Sequence, residues 1–212
     1  YGMSETAMLT SNPYRADKRY KNQSERRGGT VGFPLPGVSL RVRDDAGQDL
    51  GTDEIGGIQV QGANVFKGYW RMPEKTAEEF TADGWFKTGD VGKVDARGYV
   101  TIVGRSKDLI ISGGYNVYPA EIEGFINDMP GVAESAVIGV PHERWGETPK
   151  AFVVLREGKQ LTVEELMAFT RSNLAHYKCP TSIVLVRALP QNASGKILKK
   201  EMRDAQWLKE NS

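Results

Sequence analysis

The sequence has few of the residues that build disulfide frameworks and metal sites. Its 212 residues include one cysteine, Cys179, and two histidines, His142 and His176. A single cysteine cannot form an internal disulfide, which fits a reducing compartment, and the two histidines lack the spacing of metal ligands. We expect both histidines to be surface or packing residues.

Long apolar runs and an excess of one charge are also missing. No run approaches the roughly 20 apolar residues that a membrane-spanning helix needs. The 28 basic and 27 acidic side chains give a net charge of +1, without the basic excess on which binding to nucleic-acid phosphates depends. The composition, 39% hydrophobic and 26% charged, is that of an ordinary globular protein. We therefore predict no membrane span and no nucleic-acid partner.

The first half of the chain is rich in glycine, with 16 of the 24 glycines before residue 108. Short alternating runs separated by turn sequences, such as residues 95–98 (Asp-Ala-Arg-Gly), predict small antiparallel sheets or a distorted β-barrel. A short helix is expected after Pro73, and a mobile loop over residues 25–29. Three aromatic residues are expected in the core: Phe66, Tyr69 and Trp70.

From Asp108 onward the pattern changes to alternating helices and strands. Pro119 suits the first turn of a helix, and Thr162 with Glu165 forms a capping box at the start of another. Strands are predicted at residues 132–140, 151–155 and 182–186, and a final helix at residues 198–208. The fold class is therefore α+β, with a boundary between Lys107 and Asp108.

Two acidic residues are candidates for ligand binding. Glu5 follows small polar residues in a turn, where one carboxylate oxygen could hold Mg²⁺, although a plain loop-edge glutamate fits equally. Asp90 follows Gly89 at a strand end, where a carboxylate can accept from both hydroxyls of a vicinal diol such as ribose. The alternative for Asp90 is a turn-forming aspartate.

Cations and glycines mark three further candidates. Arg105 and Lys107 could meet an anionic ligand or lie in a solvated linker. The Gly113–Gly114 pair allows close backbone approach to a ligand, or forms a plain turn. Residues 190–197 resemble a phosphate-binding P-loop but lack its first glycine and its final hydroxyl residue, so only Lys196 remains, as a mobile point charge toward a phosphate.

Together, the order and spacing of these motifs resemble the C-terminal part of the adenylate-forming superfamily, which contains acyl-CoA synthetases, luciferase-like enzymes and peptide-synthetase adenylation domains. The resemblance extends over essentially all 212 residues. It is carried by residues 1–6, 56–62, 68–70, 86–90, 104–108, 110–121 and 190–196. It implies that residues 1–107 are the β-rich end of a large N-terminal AMP-binding domain. Residues 108–212 would be a small mobile α+β lid, with a hinge at residues 107–108.

The resemblance also implies roles for residues of the first part. Glu5 would hold the Mg²⁺ of MgATP, and Ser4 would contact the α-phosphate. Tyr1 would lie against adenine, while Asp90, assisted by Arg105, would bind the ribose hydroxyls.

In the second part, the resemblance implies contacts to the nucleotide and to coenzyme A. Lys107 would act at the hinge beside the nucleotide. Gly113 and Gly114 would line the path of the CoA arm, and Asn116 would lie near the nucleotide in one orientation of the lid. Lys196 would bridge the attacking carboxylate and the α-phosphate during adenylation. Its acetylation by a regulatory acetyltransferase would remove that charge.

Residues 1–6 with 10–14, and residues 64–76, are most similar to the malonyl-CoA synthetases of this superfamily, apart from an insertion-like stretch at residues 18–27. We therefore expect an ATP-dependent acid–CoA ligase that makes malonyl-CoA through an acyl-AMP intermediate, using ATP, Mg²⁺ and CoA. The alternatives are a fatty-acyl- or aryl-CoA synthetase and, from another class, a non-catalytic nucleotide-binding module.

The ends of the sequence suggest how much of the enzyme is present. The chain opens in mid-motif without an initiator methionine, and we expect a fragment that is inactive alone because the acyl pocket and phosphate loop lie upstream. The 16 residues after Lys196 contain no carrier domain and no Ser-Lys-Leu end, which favours a stand-alone CoA ligase. The expected location is the cytoplasm, with the mitochondrial matrix as the alternative, and the oligomeric state is left open.

Overall fold

The computed structural model describes residues 1–12 and 28–210. The chain divides into two compact units, Tyr1–Lys107 and Asp108–Ser212. Most of the loop predicted at residues 25–29 and the insertion-like stretch at residues 18–27 lie outside the described residues; Gly28 and Gly29 belong to a turn. None of the helices in the described part of the chain is long and apolar enough to cross a membrane.

The first unit consists mainly of antiparallel strands. Its elements are β1 (Gly2–Met3), β2 (Ala7–Met8), β3 (Thr10–Ser11), β4 (Phe33–Pro34), β5 (Val38–Arg43), β6 (Gly56–Gly62), α1 (Pro73–Glu79), β7 (Phe86–Val94) and β8 (Val100–Arg105). Strands β5 to β8 form a four-stranded meander, while β1–β2 and β3–β4 form two small ribbons. Of the two arrangements expected, the described residues therefore adopt open sheets and not a closed barrel.

The turn between β7 and β8 follows directly from its sequence. The Asp95 carboxylate accepts hydrogen bonds from the backbone N–H groups of Arg97 and Tyr99, both at 2.9 Å. Gly98 has a φ of +87°, which only glycine adopts without strain. This local chemistry sets the β7–β8 pairing next to the turn, and a register shift between Val91 and Gly92 then brings Asp90 opposite Arg105.

The core of the first unit lies on one face of the meander. Ile58 and Val60, two residues apart on β6, are buried together with Phe86 of β7, as the two-residue period of a strand requires. Phe66 packs with its ring centroid 5.3 Å from that of Phe86. The prediction that Trp70 is also in the core is wrong, because its side chain is 84% exposed.

The second unit is a mixed sheet with helices on both faces. Its elements are β9 (Ile110–Ser112), β10 (Tyr115–Val117), α2 (Pro119–Asp128), β11 (Val132–His142), β12 (Gly146–Leu155), α3 (Val163–Asn173), β13 (Ser182–Leu185), α4 (Lys199–Met202) and α5 (Ala205–Glu210). The sheet order is β10-β9-β12-β11, with β13 parallel to β12. The two units together confirm the α+β class.

Alternate residues of β11 enter two separate cores. Val137 packs with Ile126 of α2 and Leu166 of α3. Its neighbour Ile138 points to the other face and packs with Met202 of α4. Both faces of the sheet are thereby covered, which explains why residues 136–140 of β11 and 151–155 of β12 are continuous apolar runs.

The helix starts of the second unit agree with their sequence signals, but its last helix does not. The capping box is present: the Glu165 N–H donates to Thr162 Oγ1 at 3.1 Å, and the Thr162 N–H to Glu165 Oε2 at 2.7 Å. The prediction of one helix over residues 198–208 is wrong, because the chain forms α4 and α5 with a break at Arg203 and Asp204. Asp204, a residue favoured at N-caps, accepts the first backbone bond of α5 from Leu208.

Candidate functional site

The β7–β8 pairing brings two predicted site residues into direct contact. Asp90 and Arg105 are cross-strand partners, and Arg105 Nε lies 2.8 Å from Asp90 Oδ1. Gly89, with a φ of +71°, turns the chain immediately before Asp90. The Asp90 N–H donates to Thr88 Oγ1, which itself donates to the Ile58 carbonyl at 2.9 Å. Arg105 therefore holds the Asp90 carboxylate, and Thr88 holds the Asp90 backbone.

Tyr1 completes this group, because its phenol donates a hydrogen bond to Asp90 Oδ2. Its backbone is fixed by β-type bonds: the Leu9 N–H donates to the Tyr1 carbonyl at 2.8 Å. Burial, and then the hydrogen bond to Asp90, raises the pKa of the Tyr1 phenol above its ordinary value. The phenol therefore stays protonated at neutral pH and remains a donor. We call Tyr1, Asp90 and Arg105 the carboxylate cluster.

The chemistry of the carboxylate cluster is that of a hydroxyl acceptor beside a cation. Asp90 is 4% exposed, while the Arg105 side chain is 37% exposed. A ligand would therefore meet the guanidinium together with the exposed edge of the carboxylate. Each carboxylate oxygen has two acceptor positions, so one remains on each for a ligand hydroxyl after the contacts to Arg105 and Tyr1.

Ser4 and Glu5 lie on the turn between β1 and β2. The Tyr69 hydroxyl donates to Glu5 Oε1 at 3.1 Å, and the Phe66 N–H donates to the Glu5 carbonyl at 2.8 Å. Burial, and then the bond to Glu5, raises the pKa of Tyr69. Ser4 is exposed, whereas Glu5 is half-buried. The segment after β6 thus orients the Glu5 carboxylate through its backbone and through one side-chain oxygen.

The donor set at Glu5 fits one kind of metal binding. Among residues 1–12 and 28–210, no group of three or more His, Cys, Asp or Glu side chains could hold a metal ion. Mg²⁺ that binds with a nucleotide needs only one or two carboxylates, because phosphates and waters supply its other ligands. A single oriented carboxylate such as Glu5 suits that mode and does not suit an all-protein cage.

The predicted Gly-Gly turn is a tight hairpin between β9 and β10. Gly113 and Gly114 have φ values of +57° and +84°, the conformation of a type I′ turn. A Cβ on Gly113 would lie 2.8 Å from Trp145 Cε3, so a side chain here would displace the Trp145 ring and strain the positive-φ backbone. Asn116, on β10, is exposed. We call residues 110–117 the glycine hairpin.

A cleft of about 170 Å³ lies beside the glycine hairpin, entirely within the second unit. Its lining includes Tyr115, Trp145, Thr148, His176, Tyr177 and Cys179. The Tyr115 and Tyr177 rings stack with centroids 4.7 Å apart. Sequence reasoning missed this cleft, because three segments distant along the chain form it and only one of them carries a motif, the Gly113–Gly114 pair.

Lys196 is exposed on a short turn of the second unit that we call the lysine turn, residues 191–197. An isolated bridge pairs Gln191 with Ile197 at its base. Asn192 Oδ1 accepts from the Lys196 N–H at 2.9 Å, and Gly195 has a φ of +76°. The backbone is therefore ordered by internal bonds while the Lys196 side chain extends into solvent.

The boundary residues form a single 3₁₀ turn, Ser106–Asp108. The Ser106 hydroxyl donates to the Gly89 carbonyl at 3.1 Å, which ties it to the first unit. Asp108 pairs instead with Arg203, at 2.9 Å, in the second unit. Lys107, between them, is exposed.

The predicted site residues thus fall into five places. Three of them meet in the carboxylate cluster, and Ser4 and Glu5 share a turn of the same unit. Lys107 lies at the end of that unit. The second unit carries the other predicted residues on the glycine hairpin and on the lysine turn, as separate features.

Comparison with known sequences now identifies the family. Residues 1–70 match the model of the AMP-binding enzymes, and residues 121–196 match that of the AMP-binding enzyme C-terminal domain. Together these matches cover about two thirds of the chain. The chain belongs to the AMP-binding, or adenylate-forming, enzyme family, as its motifs indicate.

Individual relatives resemble nearly the whole chain. A feruloyl-CoA synthase from an Amycolatopsis species is 45% identical over 206 residues, covering 96% of this chain and 40% of that protein. The malonate–CoA ligase of Arabidopsis thaliana is 40% identical over 214 residues, covering 96% and 33%. The crystal structure of ATP-bound MatB from Rhodopseudomonas palustris is 50% identical with a TM-score of 0.89, covering 98% and 40%. The chain therefore spans only about a third to two fifths of these relatives.

Proposed function

We propose that this chain is the C-terminal part of an AMP-forming acid–CoA ligase. In the first step a carboxylate oxygen attacks the α-phosphorus of ATP, and pyrophosphate leaves. In the second step the CoA thiol attacks the acyl carbonyl, the C–O bond to the nucleotide breaks, and AMP leaves. The observation that carries the proposal is the carboxylate cluster in a chain of this family. The matched relatives with CoA-ligase names support it.

The first unit, residues 1–107, would hold the nucleotide as the end of a larger AMP-binding domain. The Asp90 carboxylate would accept from the ribose hydroxyls, Arg105 would assist, and the Tyr1 ring would lie against adenine. Ser4 would contact the α-phosphate. Mg²⁺ bound with ATP, held on the protein side by Glu5, would neutralise phosphate charge. The contacts already made to Asp90 and Glu5 support these roles, because both carboxylates are pre-oriented.

The second unit, residues 108–212, would be the lid that swings about a hinge at Lys107 and Asp108. In the adenylation orientation, Lys196 would place its charge between the attacking carboxylate and the α-phosphate, where negative charge builds up in the transition state. In the other orientation, Gly113 and Gly114 would line the path of the CoA arm. Asn116 would lie near the nucleotide in one of the two lid orientations. The aromatic cleft beside the glycine hairpin supports a CoA contact on this face.

For the acid, we propose malonate. The Arabidopsis malonate–CoA ligase and the Rhodopseudomonas MatB structure support it. Aryl and fatty-acyl substrates are the competing choice, since a feruloyl-CoA synthase is 45% identical and a long-chain-fatty-acid–CoA ligase of Yersinia pestis is 42% identical. The residues that would read the second carboxylate of malonate are expected in the part of the relatives that this chain does not span.

The test uses the full-length protein, meaning this chain together with the remaining sequence that its relatives have. CoA-dependent AMP formation from ATP is followed with malonate, methylmalonate, acetate, benzoate and a long-chain fatty acid. We expect malonate to give the highest kcat/KM. A preference for a monocarboxylate would support the ligase reaction but contradict malonate as the substrate. No AMP with any acid would overturn the ligase and favour a nucleotide-binding module. The 212 residues alone are expected to form no AMP.

A further inference from the structure

We propose that the ion pair between Glu123 and Lys199 positions Lys196 for adenylation. This inference rests on the proposed function, because it assigns a positioning role relative to a lysine that acts in the first half-reaction. The pair lies in the second unit, between the helix α2 and the first residue of α4. None of the sequence motifs discussed above includes either residue.

The two charged side chains of this pair are close together and largely buried. Lys199 Nζ lies 2.6 Å from Glu123 Oε1, and the two side chains are only 18% and 16% exposed. The same Glu123 oxygen accepts the N–H of Val137, on β11, at 2.7 Å. Glu123 thus ties α4 to α2 and to the central sheet at one point.

Stability alone is a weak reason for such a pair. Removing two charges from water costs free energy that their attraction often fails to regain, and an apolar pair of similar volume would hold two elements together as well. This charged link differs because Glu123 Oε1 accepts from Lys199 and from the Val137 backbone N–H together, so the position of the acceptor is fixed by the sheet. That property is useful where a neighbouring group must be fixed in position.

The neighbouring group here is Lys196, three residues before Lys199. Within the lysine turn, the backbone bonds to Asn192 are local and exposed. After the turn, the Leu198 N–H donates to the Pro190 carbonyl at 2.8 Å, and Lys199 then anchors the chain. At the first residue of the turn, the side-chain tether is an exposed contact between Gln191 and Glu134. Leu189 and Ile197 pack into the apolar core near the two ends of the turn, and the Lys199 ion pair is the largely buried polar anchor beside them.

A loosened anchor should affect one half-reaction more than the other. Lys196 acts in adenylation, whereas thioester formation uses the other orientation of the lid. A displacement of about 1 Å in a positioned group can cost on the order of a hundredfold in rate. We expect Lys199→Met to lower the kcat of adenylation about 10- to 100-fold, with the KM for ATP changed less than about twofold.

The experiment measures both half-reactions in the full-length protein. Acid-dependent exchange of pyrophosphate into ATP reports adenylation, and AMP release from supplied acyl-adenylate plus CoA reports thioester formation. The variants are Lys199→Met, Glu123→Gln and Lys199→Arg, with Lys200→Met as the matched control because Lys200 is the exposed neighbour on α4. Thermal unfolding of each variant is recorded alongside.

The expected result is a selective loss of exchange in Lys199→Met and Glu123→Gln, with thioester formation within about twofold of wild type, partial recovery in Lys199→Arg and no change in Lys200→Met. Equal losses in both half-reactions, or no loss in either, would overturn the positioning role, even when Lys196→Ala abolishes exchange as the proposed function requires. Absence of exchange in the wild type with every acid would instead overturn the proposed function, and this inference with it.

Discussion

The Asp90 carboxylate offers the sharpest test of the proposed nucleotide site. Asp90→Asn keeps the shape of the side chain but replaces a charged acceptor with a neutral amide, one end of which is a donor. Arg105 loses its ionic partner, yet its side chain is 37% exposed and can be hydrated. We therefore expect the fold to persist and the loss to fall mainly on ligand binding.

The magnitude follows from the hydrogen bonds that the ribose would make. A hydrogen bond to a charged group contributes about 1.5–3 kcal/mol, and one between neutral groups about 0.5–1.5 kcal/mol. Replacing the carboxylate should therefore cost about 1 kcal/mol for each of two hydroxyls. A total of about 2 kcal/mol corresponds to roughly 30-fold weaker binding of MgATP.

The assay compares ATP with 2′,3′-dideoxy-ATP by titration calorimetry on the full-length protein. The preference for ATP over the dideoxy analogue should be about 30-fold greater in the wild type than in Asp90→Asn, which keeps only neutral hydrogen bonds to the two hydroxyls. The ligand and protein changes form a cycle that isolates the contact between them. Asp53→Asn is the matched control, because Asp53 is an exposed carboxylate paired with Lys93 at 2.8 Å in the same unit. If Asp90→Asn weakens both nucleotides equally, Asp90 does not read the ribose hydroxyls.

Three further predictions concern other parts of the structure. Tyr69→Phe removes the hydrogen bond to Glu5 and should raise the Mg²⁺ concentration for half-maximal adenylation about two- to tenfold. An unchanged half-maximal Mg²⁺ concentration would contradict the assignment of Glu5 as a metal ligand. Gly113→Ala places a Cβ 2.8 Å from Trp145 in a positive-φ turn, and should lower the rate of thioester formation more than that of pyrophosphate exchange. Equal decreases in the two rates would contradict a place for the glycine hairpin on the CoA path. Burial raises the pKa of the Cys179 thiol, so at pH 8 its reaction with an aromatic disulfide reagent should be slower than that of a free cysteine peptide and should accelerate on unfolding; an equal rate in the folded protein would contradict this assignment.

Much of the fold could be predicted because its signals are local. The capping box at Thr162, Pro119 at a helix start and the aspartate–glycine turn before β8 each determine their backbone with contacts inside a few residues. The break between α4 and α5 was missed because apolar spacing continues through it. Trp70 was misplaced because an aromatic residue predicts burial only when an element covers it, and sequence spacing does not reveal that.

The candidate site also has a part that local motifs predict and a part that only the tertiary structure reveals. The motifs predicted Asp90 and Arg105 individually, and only the β7–β8 register shows that they are direct partners. The aromatic cleft and the Glu123–Lys199 pair could not be predicted, because each joins segments far apart in sequence through tertiary packing. Resemblance to the family identified the motif residues, whereas their supporting contacts required the structure.

The central claim is that the acid is activated as an acyl-AMP, and the fate of its oxygen atoms tests this most directly. The full-length protein is incubated with ATP, CoA and malonate labelled with ¹⁸O in its carboxylates, and the products are examined by mass spectrometry. Because the attacking carboxylate oxygen stays on phosphorus when the thiol displaces the nucleotide, we predict one ¹⁸O in each AMP and none in pyrophosphate. Label in inorganic phosphate with ADP as the other product, or unlabelled AMP, would contradict the account.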